Sequence, residues 1–261
     1  MPPIRPHGHS DAGQPQNSPM TTKYLLDTSF DRDFAARPNL PWWPWVGKDY
    51  SKAGRRTILL GESIYDWGAG FTTRYEQTSA LRETHNLHAL NYRRNSPYVR
   101  NMERAIYGMS APSEEQKSAL WASVVYHNLV LEPLATIKKR PTFSQYVKGW
   151  HEFFELSRLL AADQGLVYGL ESKKLDALLE ALKVRGASCE QRRLAKVGKS
   201  EPRLLSISDK GSILKLLFIR HPSSYFSWRQ WGLIIREHVP TQVTTALGKA
   251  ATGTRGSTGA A

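Results

Sequence analysis

The sequence predicts an α/β fold, a three-layer α/β/α sandwich around a central, mostly parallel four-stranded sheet. Three observations predict it. Short continuous apolar runs recur along the chain, and a run of that kind fits a strand buried on both faces. Longer stretches with helical apolar spacing alternate with them, which places helices on both faces of a parallel sheet. Polar clusters sit at the ends of three of the runs, where ligands bind in sheets of this class.

The elements follow in order. Residues 57–61 (Thr-Ile-Leu-Leu-Gly) are the first strand. A helix is expected around Pro97 to Tyr107. Ser113 with Gln116 three positions on is a capping box, and the short helix it opens ends before the β-branched run of residues 123–126, the second strand. Between residues 142 and 163 the apolar positions Phe143, Tyr146, Val147, Trp150, Phe153, Phe154, Leu156, Leu159 and Leu160 fit an amphipathic helix. Leu166, Val167 and Tyr168 form a third strand that stops at Gly169. Residues 172–182 are helical, with Leu175, Leu178, Leu179 and Leu182 on one stripe. Residues 183–203 carry seven Lys/Arg against two Glu and receive no element. Residues 213–219 are the last strand, followed by residues 220–228 and a terminal helix through His238.

Domain organisation follows from composition. Residues 1–40 are polar and Pro-rich and read as a disordered or extended tail, with Met20 as an alternative start. Residues 41–240 form one catalytic domain, and residues 241–261 are a Gly/Ala/Thr-rich flexible tail. The 36 Lys+Arg against 23 Asp+Glu give a formal charge of +13 over 261 residues. That excess points to a polyanionic partner. The lone cysteine, Cys189, excludes a disulfide framework, a cysteine zinc site and a four-cysteine iron–sulfur cluster. No apolar run reaches the roughly 18 residues of a spanning helix, and the N-terminus lacks a secretory h-region. A cytoplasmic protein that binds no membrane, metal or cofactor is expected.

Several motifs weaken on inspection. Gly198-Lys199-Ser200 ends like a P-loop, but the first glycine of that motif would fall on Arg193. His7 and His9 lie in the polar tail, and His151 is followed by Glu155 where a zinc protease helix needs histidine. Trp42, Trp43 and Trp45 are a base-stacking platform or, more simply, packing at the domain edge.

The strand-end clusters carry the chemistry. Leu59-Leu60-Gly61-Glu62-Ser63, Tyr126-His127-Asn128-Leu129 and His221-Pro222-Ser223-Ser224-Tyr225 stand in the order and spacing of the uracil-DNA glycosylase superfamily over about residues 55–240. The chain resembles that family. The His-Asn-Leu piece is most similar to the single-strand-selective monofunctional branch, and Val167 to Glu171 looks like the family's strand-Gly-helix connection. The resemblance implies that His221 gives a hydrogen bond to the leaving base or a flanking phosphate, and that Asn128 reads the Watson–Crick edge. It implies that Tyr65 shapes the pocket at the pyrimidine 5-position, with Ser63 beside it. Ser223, Ser224 and Arg220 would hold the DNA, while Tyr225 and Phe226 would fill the hole left by the flipped base. Where active uracil enzymes carry Asp in the loop this chain has Ser63, so Asp66 and Glu62 are the candidates for activating water. No lysine lies in the three motifs, so no lyase step is expected.

The changed loop leaves the base open. A bulky modified cytosine of phage DNA, with a role in antiviral defence, stands beside uracil and base-excision repair. Two readings from other classes remain: a catalytically inactive nucleic-acid-binding module on the same fold, and a small-molecule hydrolase that leaves +13 without a role. A monomer that needs DNA but no protein partner is expected.

Overall fold

Five consecutive residues, Thr57–Gly61, are buried along their whole length, and the sheet grows outward from them. The computed structural model describes residues 25–65, 75–91, 96–136 and 138–243. Within these, the strands are β1 (Trp45–Val46), β2 (Thr57–Gly61), β3 (Val124–Asn128), β4 (Gln164–Tyr168), β5 (Ser188–Arg193), β6 (Arg203–Asp209) and β7 (Ser212–Ile219). The helices are α1 (Asp31–Ala35), α2 (Ala80–His85), α3 (Pro97–Tyr107), α4 (Glu114–Ser123), α5 (Phe143–Leu159), α6 (Ser172–Arg185) and α7 (Trp228–His238). Ser113 and Thr142 each close a full capping box, at the starts of α4 and α5.

The strands form one sheet in the order β1-β3-β2-β4-β7-β6-β5. Its centre, β3-β2-β4-β7, is parallel, while β1 adds antiparallel to β3 and the β6–β5 hairpin adds antiparallel to β7. The sheet therefore has seven strands rather than the expected four. The three additions lack the signal that marks the centre. β1 is two residues long, and β5 (Ser-Cys-Glu-Gln-Arg-Arg) is almost wholly exposed. β6 places Leu204, Leu205 and Ile207 in a charged neighbourhood, yet all three are buried.

Alternation along each central strand divides the core in two. Ile58 and Leu60 face α5 and α6, joining Trp150, Phe153, Phe154 and Leu178. Leu59, Leu166 and Leu217 face α3 and α7, joining Met102, Ile106, Trp231 and Ile235. Three layers result. Gly149 in α5 and Gly232 in α7 sit where a Cβ would strike the backbone of Leu129 and Ala105, so both helices approach their neighbours more closely than an alanine would allow.

The domain also starts earlier and runs later than expected. Residues 25–40 belong to it: Phe34 and Leu40 are buried in the core, and Leu26 bridges to Gly47. At the other end Thr241 is buried and the Gln242 side chain accepts a hydrogen bond from Gly54 N. Trp42 and Trp45 are interior, their indole N–H groups donating to the Tyr75 and Trp121 carbonyls. The cluster is packing at the domain edge.

Candidate functional site

The helices that follow β2, α2 to α4, pack on one face of the sheet, and α6, which follows β4, packs on the other. β3 and β4 flank β2 on opposite sides, so strand order reverses there, and sheets of this class bind ligands at the carboxyl ends of such strands. Parallel register brings the strand ends level. Gly61 of β2 pairs with Asn128 of β3, and Tyr168 of β4 pairs with Ile219 of β7. The loops after β2 and β3 then run side by side, with Leu129, Val130 and Leu134 donating to the carbonyls of Gly61, Glu62 and Ile64.

A closed charge cluster spans these strand ends. Glu62, 4% exposed, accepts from the Tyr146 hydroxyl at 2.7 Å and pairs with Lys174 Nζ at 2.9 Å and Arg140 Nη2 at 2.6 Å. Lys174, fully buried, also pairs with Glu171 at 3.1 Å and donates to the Tyr168 carbonyl. Arg140 reaches Glu171 at 2.6 Å. Burial pushes the Glu62 carboxyl up, but Lys174, Tyr146 and Arg140 outweigh it and hold it below its usual range. Glu62 is therefore ionised, and both of its oxygens are occupied by donors. Gly169 makes room for the cluster: its φ is +99°, and a Cβ there would collide with Glu171 Oε2 and Lys174 Nζ. Two glutamates and two basic residues balance, so the cluster presents little net charge.

Asn128, 3% exposed, sits beside it. The Tyr126 hydroxyl donates to Asn128 Oδ1 at 3.2 Å. That bond holds the carbonyl end of the amide against Tyr126 and directs the Nδ2 donors elsewhere. Gly61 allows the arrangement, because a Cβ at that position would strike both the Asn128 Oδ1 and the Tyr126 hydroxyl.

His221 opens the loop after β7. Its ring packs edge-on to Tyr168 at 5.8 Å and lies 6.5 Å from Tyr98. The Ser223 backbone N–H donates to Nδ1 at 3.2 Å, and the Ser223 hydroxyl is 2.8 Å from the same nitrogen. A backbone N–H can only donate, so Nδ1 is the acceptor and the proton is assigned to Nε2. Burial lowers the imidazole pKa to about 4 against a smaller opposing pull from Glu62. At neutral pH His221 is thus an uncharged ring that offers one N–H donor. The Asn101 side chain ties this loop to α3 through the Pro222 carbonyl at 2.7 Å.

The remaining expected residues are placed as follows. Tyr65 is half-buried and bridges to Leu134. Ser63 Oγ is buried with no hydrogen-bond partner among the described residues. Ser223, Ser224 and Tyr225 are exposed, Tyr225 at 90% with a φ of +50°. Phe226, paired with Tyr225 as a filler of the duplex hole, is instead buried and stacked on Trp231 at 5.7 Å, so Tyr225 alone projects from the loop tip. Arg220 lies 5.4 Å over the Tyr225 ring and donates to the Ser224 carbonyl. Asp66 lies outside the described residues. Glu62, Asn128 and His221 come together at the strand ends.

Sequence reasoning missed the part that Lys174, Tyr146, Tyr126 and Arg140 play here. The lysine was visible as a misfit. It occupies the buried face of α6 with Ala177, Leu178 and Ala181, where a helix of this amphipathicity calls for an apolar residue. It also puts an amine in the site that the three motifs lack, though one already engaged by three acceptors. Among the described residues no group of three or more His, Cys, Asp or Glu side chains could hold a metal ion, and no helix is long and apolar enough to cross a membrane. No family model matches the chain, and no curated protein matches it.

Proposed function

We propose that this chain is a monofunctional DNA glycosylase, which flips an aberrant or modified pyrimidine from DNA and hydrolyses its N-glycosidic bond. The C1′–N bond breaks with its electrons leaving on the base, and water adds to the sugar carbon and gives up a proton. An abasic site remains. The observation that carries the reading is the neutral His221, with an Nε2–H donor at the same strand ends as Asn128 and its Nδ2 donors. A departing base is an anion, and fixed donors aimed at developing negative charge are the form of catalysis such a reaction needs. The +13 charge supplies attraction to the DNA backbone.

Glu62 is held by three donors, which suits it to fixing the loop after β2 rather than to taking a proton from water. Water activation falls to Asp66 in this reading. The occupied carboxylate also favours a second reading, a DNA-binding module on this fold that does not cleave.

Oligonucleotides carrying uracil, thymine opposite guanine, or bulky 5-substituted cytosines separate the two. The first reading expects alkali-labile abasic sites on at least one substrate. It also expects His221→Ala to lower the rate of base release by roughly 10²–10³-fold, the usual cost of one such donor. Salt-sensitive DNA binding with no base released from any substrate would leave only the second.

A further inference from the structure

The Gly198-Lys199-Ser200 triplet that resembles a P-loop ending has a different place in the fold. Val197 and Ser200 exchange backbone hydrogen bonds at 2.8 and 3.0 Å, closing a tight turn in which Gly198 takes a φ of +59°. The turn lies in the β5–β6 connection and leaves Lys199 exposed. It is fastened to the loop after β7, where Arg220 Nη1 donates to the Ser200 hydroxyl at 3.2 Å. Between turn and loop is a cavity of about 400 Å³, lined by Lys199, Arg220, Tyr225, Ser227, Gln230 and Trp231 among others. That is within the roughly 300–1,000 Å³ range of small-ligand sites. Two cations line it and no carboxylate does. Arg192, Lys196 and Lys199 are all exposed along the same hairpin, and none of them pairs with a carboxylate of the described residues, whereas Arg193 pairs with Glu201 at 3.2 Å.

We infer that this cavity is a nucleotide subsite of a nucleic-acid strand, with the backbone phosphate held by Lys199 and Arg220 and its base against the exposed Tyr225 ring. The inference rests on the DNA-glycosylase reading for the identity of the strand. The subsite takes the strand next to the point where His221 meets the flipped base, because Arg220 lines the cavity and the next residue along the chain is His221. Arg220 is pre-set for this: its contacts are a hydroxyl, a carbonyl and a ring, and no carboxylate of the described residues pairs with it. Ring faces accept any base, so the subsite grips a strand without reading its sequence.

Each phosphate neutralised by a cation adds about 0.7–0.9 to the slope of log affinity against log salt. Binding of a fluorescent single strand and of a duplex is therefore measured from low to moderate salt for the wild-type chain, Lys199→Gln and Lys148→Gln. Lys148 is an exposed lysine on α5, remote from the cavity. Lys199→Gln should lower the slope by close to one on at least one of the two substrates, and Lys148→Gln should leave both slopes unchanged. Tyr225→Ala should weaken single-strand binding roughly tenfold with the slope retained. Equal slopes for wild type and Lys199→Gln, or an equal drop in both lysine variants, would overturn the subsite. Base release by the wild-type chain is scored separately. A slope lost in Lys199→Gln with no base released anywhere keeps the subsite and removes the enzyme, while base release with an unchanged slope does the reverse.

Discussion

Two polar groups stand side by side at the carboxyl ends of the central strands, and they are built on opposite principles. In the Glu62–Lys174–Arg140–Glu171 cluster every charge meets its opposite, and the Tyr146 hydroxyl and Tyr168 carbonyl take up further valences. Among the described residues, Asn128 and His221 are each engaged at one end of the side chain, by Tyr126 and Ser223, and the other end keeps its donor. The first group holds the strand ends together. The second keeps the donors on which the proposed function draws. A strongly charged side chain in a cleft is therefore a poor guide to chemistry until its partners are counted, and here the uncharged neighbours are the better candidates.

The largest test of this contrast removes the cation from the closed cluster. Lys174→Met leaves Glu62 buried with less than its complement of donors, and breaking a buried pair in this way costs roughly 3–5 kcal/mol. The expected outcome is a fall of that size in unfolding free energy, read by urea denaturation. A loss under about 1 kcal/mol would mean that the cluster is not the structural element described.

A second test uses pH. His85 and His127 are buried without hydrogen-bond partners among the described residues, and burial lowers both to a pKa of about 3. The unfolded chain binds protons at these rings below about pH 6.5 while the folded chain does not, so their contribution is present above 6.5 and is lost as pH falls. Glu103 opposes this, since burial raises it to about 6 and the folded state takes its proton first. His221, lowered to about 4 by burial, adds to the loss, and the net expectation is a fall of about 4–5 kcal/mol between pH 7 and pH 5. A stability curve flat over that interval would show that these rings are not buried as neutral species.

The smallest effect concerns the open pair. Tyr126→Phe removes the hydroxyl that holds Asn128 Oδ1 and frees the amide to turn. Loss of one such bond is worth about 1 kcal/mol, so base release should fall about fivefold to tenfold, and discrimination among bases should narrow by a similar factor. Unaltered discrimination would mean that Tyr126 packs against the amide without orienting it.

The sequence made the sheet centre legible for a physical reason. Strands β2, β3, β4 and β7 are apolar on both faces because helices cover both, and such runs stand out. β5 could not be seen that way, since Ser188 to Arg193 are almost wholly exposed and no apolar period marks them. The site divides along the same line. Asn128 and His221 sit at the ends of recognisable strands, and their neighbours in sequence announce them. The contact of Tyr146 with Glu62 joins residues 84 positions apart, and nothing local in either segment points to the other. Lys174 was legible in principle, as one charged residue on an apolar helix face.

The hairpin has a consequence beyond ligand binding. Among the described residues β5 ends the sheet, pairs with β6 alone, and is exposed along nearly its whole length. An open strand edge offers unpaired N–H and C=O groups to any other chain that can add a strand. Arg192 and Arg193 stand at that edge, and like charges brought together by strand addition repel. The residue type to which the proposed subsite gives a role in strand binding thus also opposes one copy of the protein templating the next. Replacing these arginines with neutral β-formers should raise aggregation as well as remove charge from the hairpin.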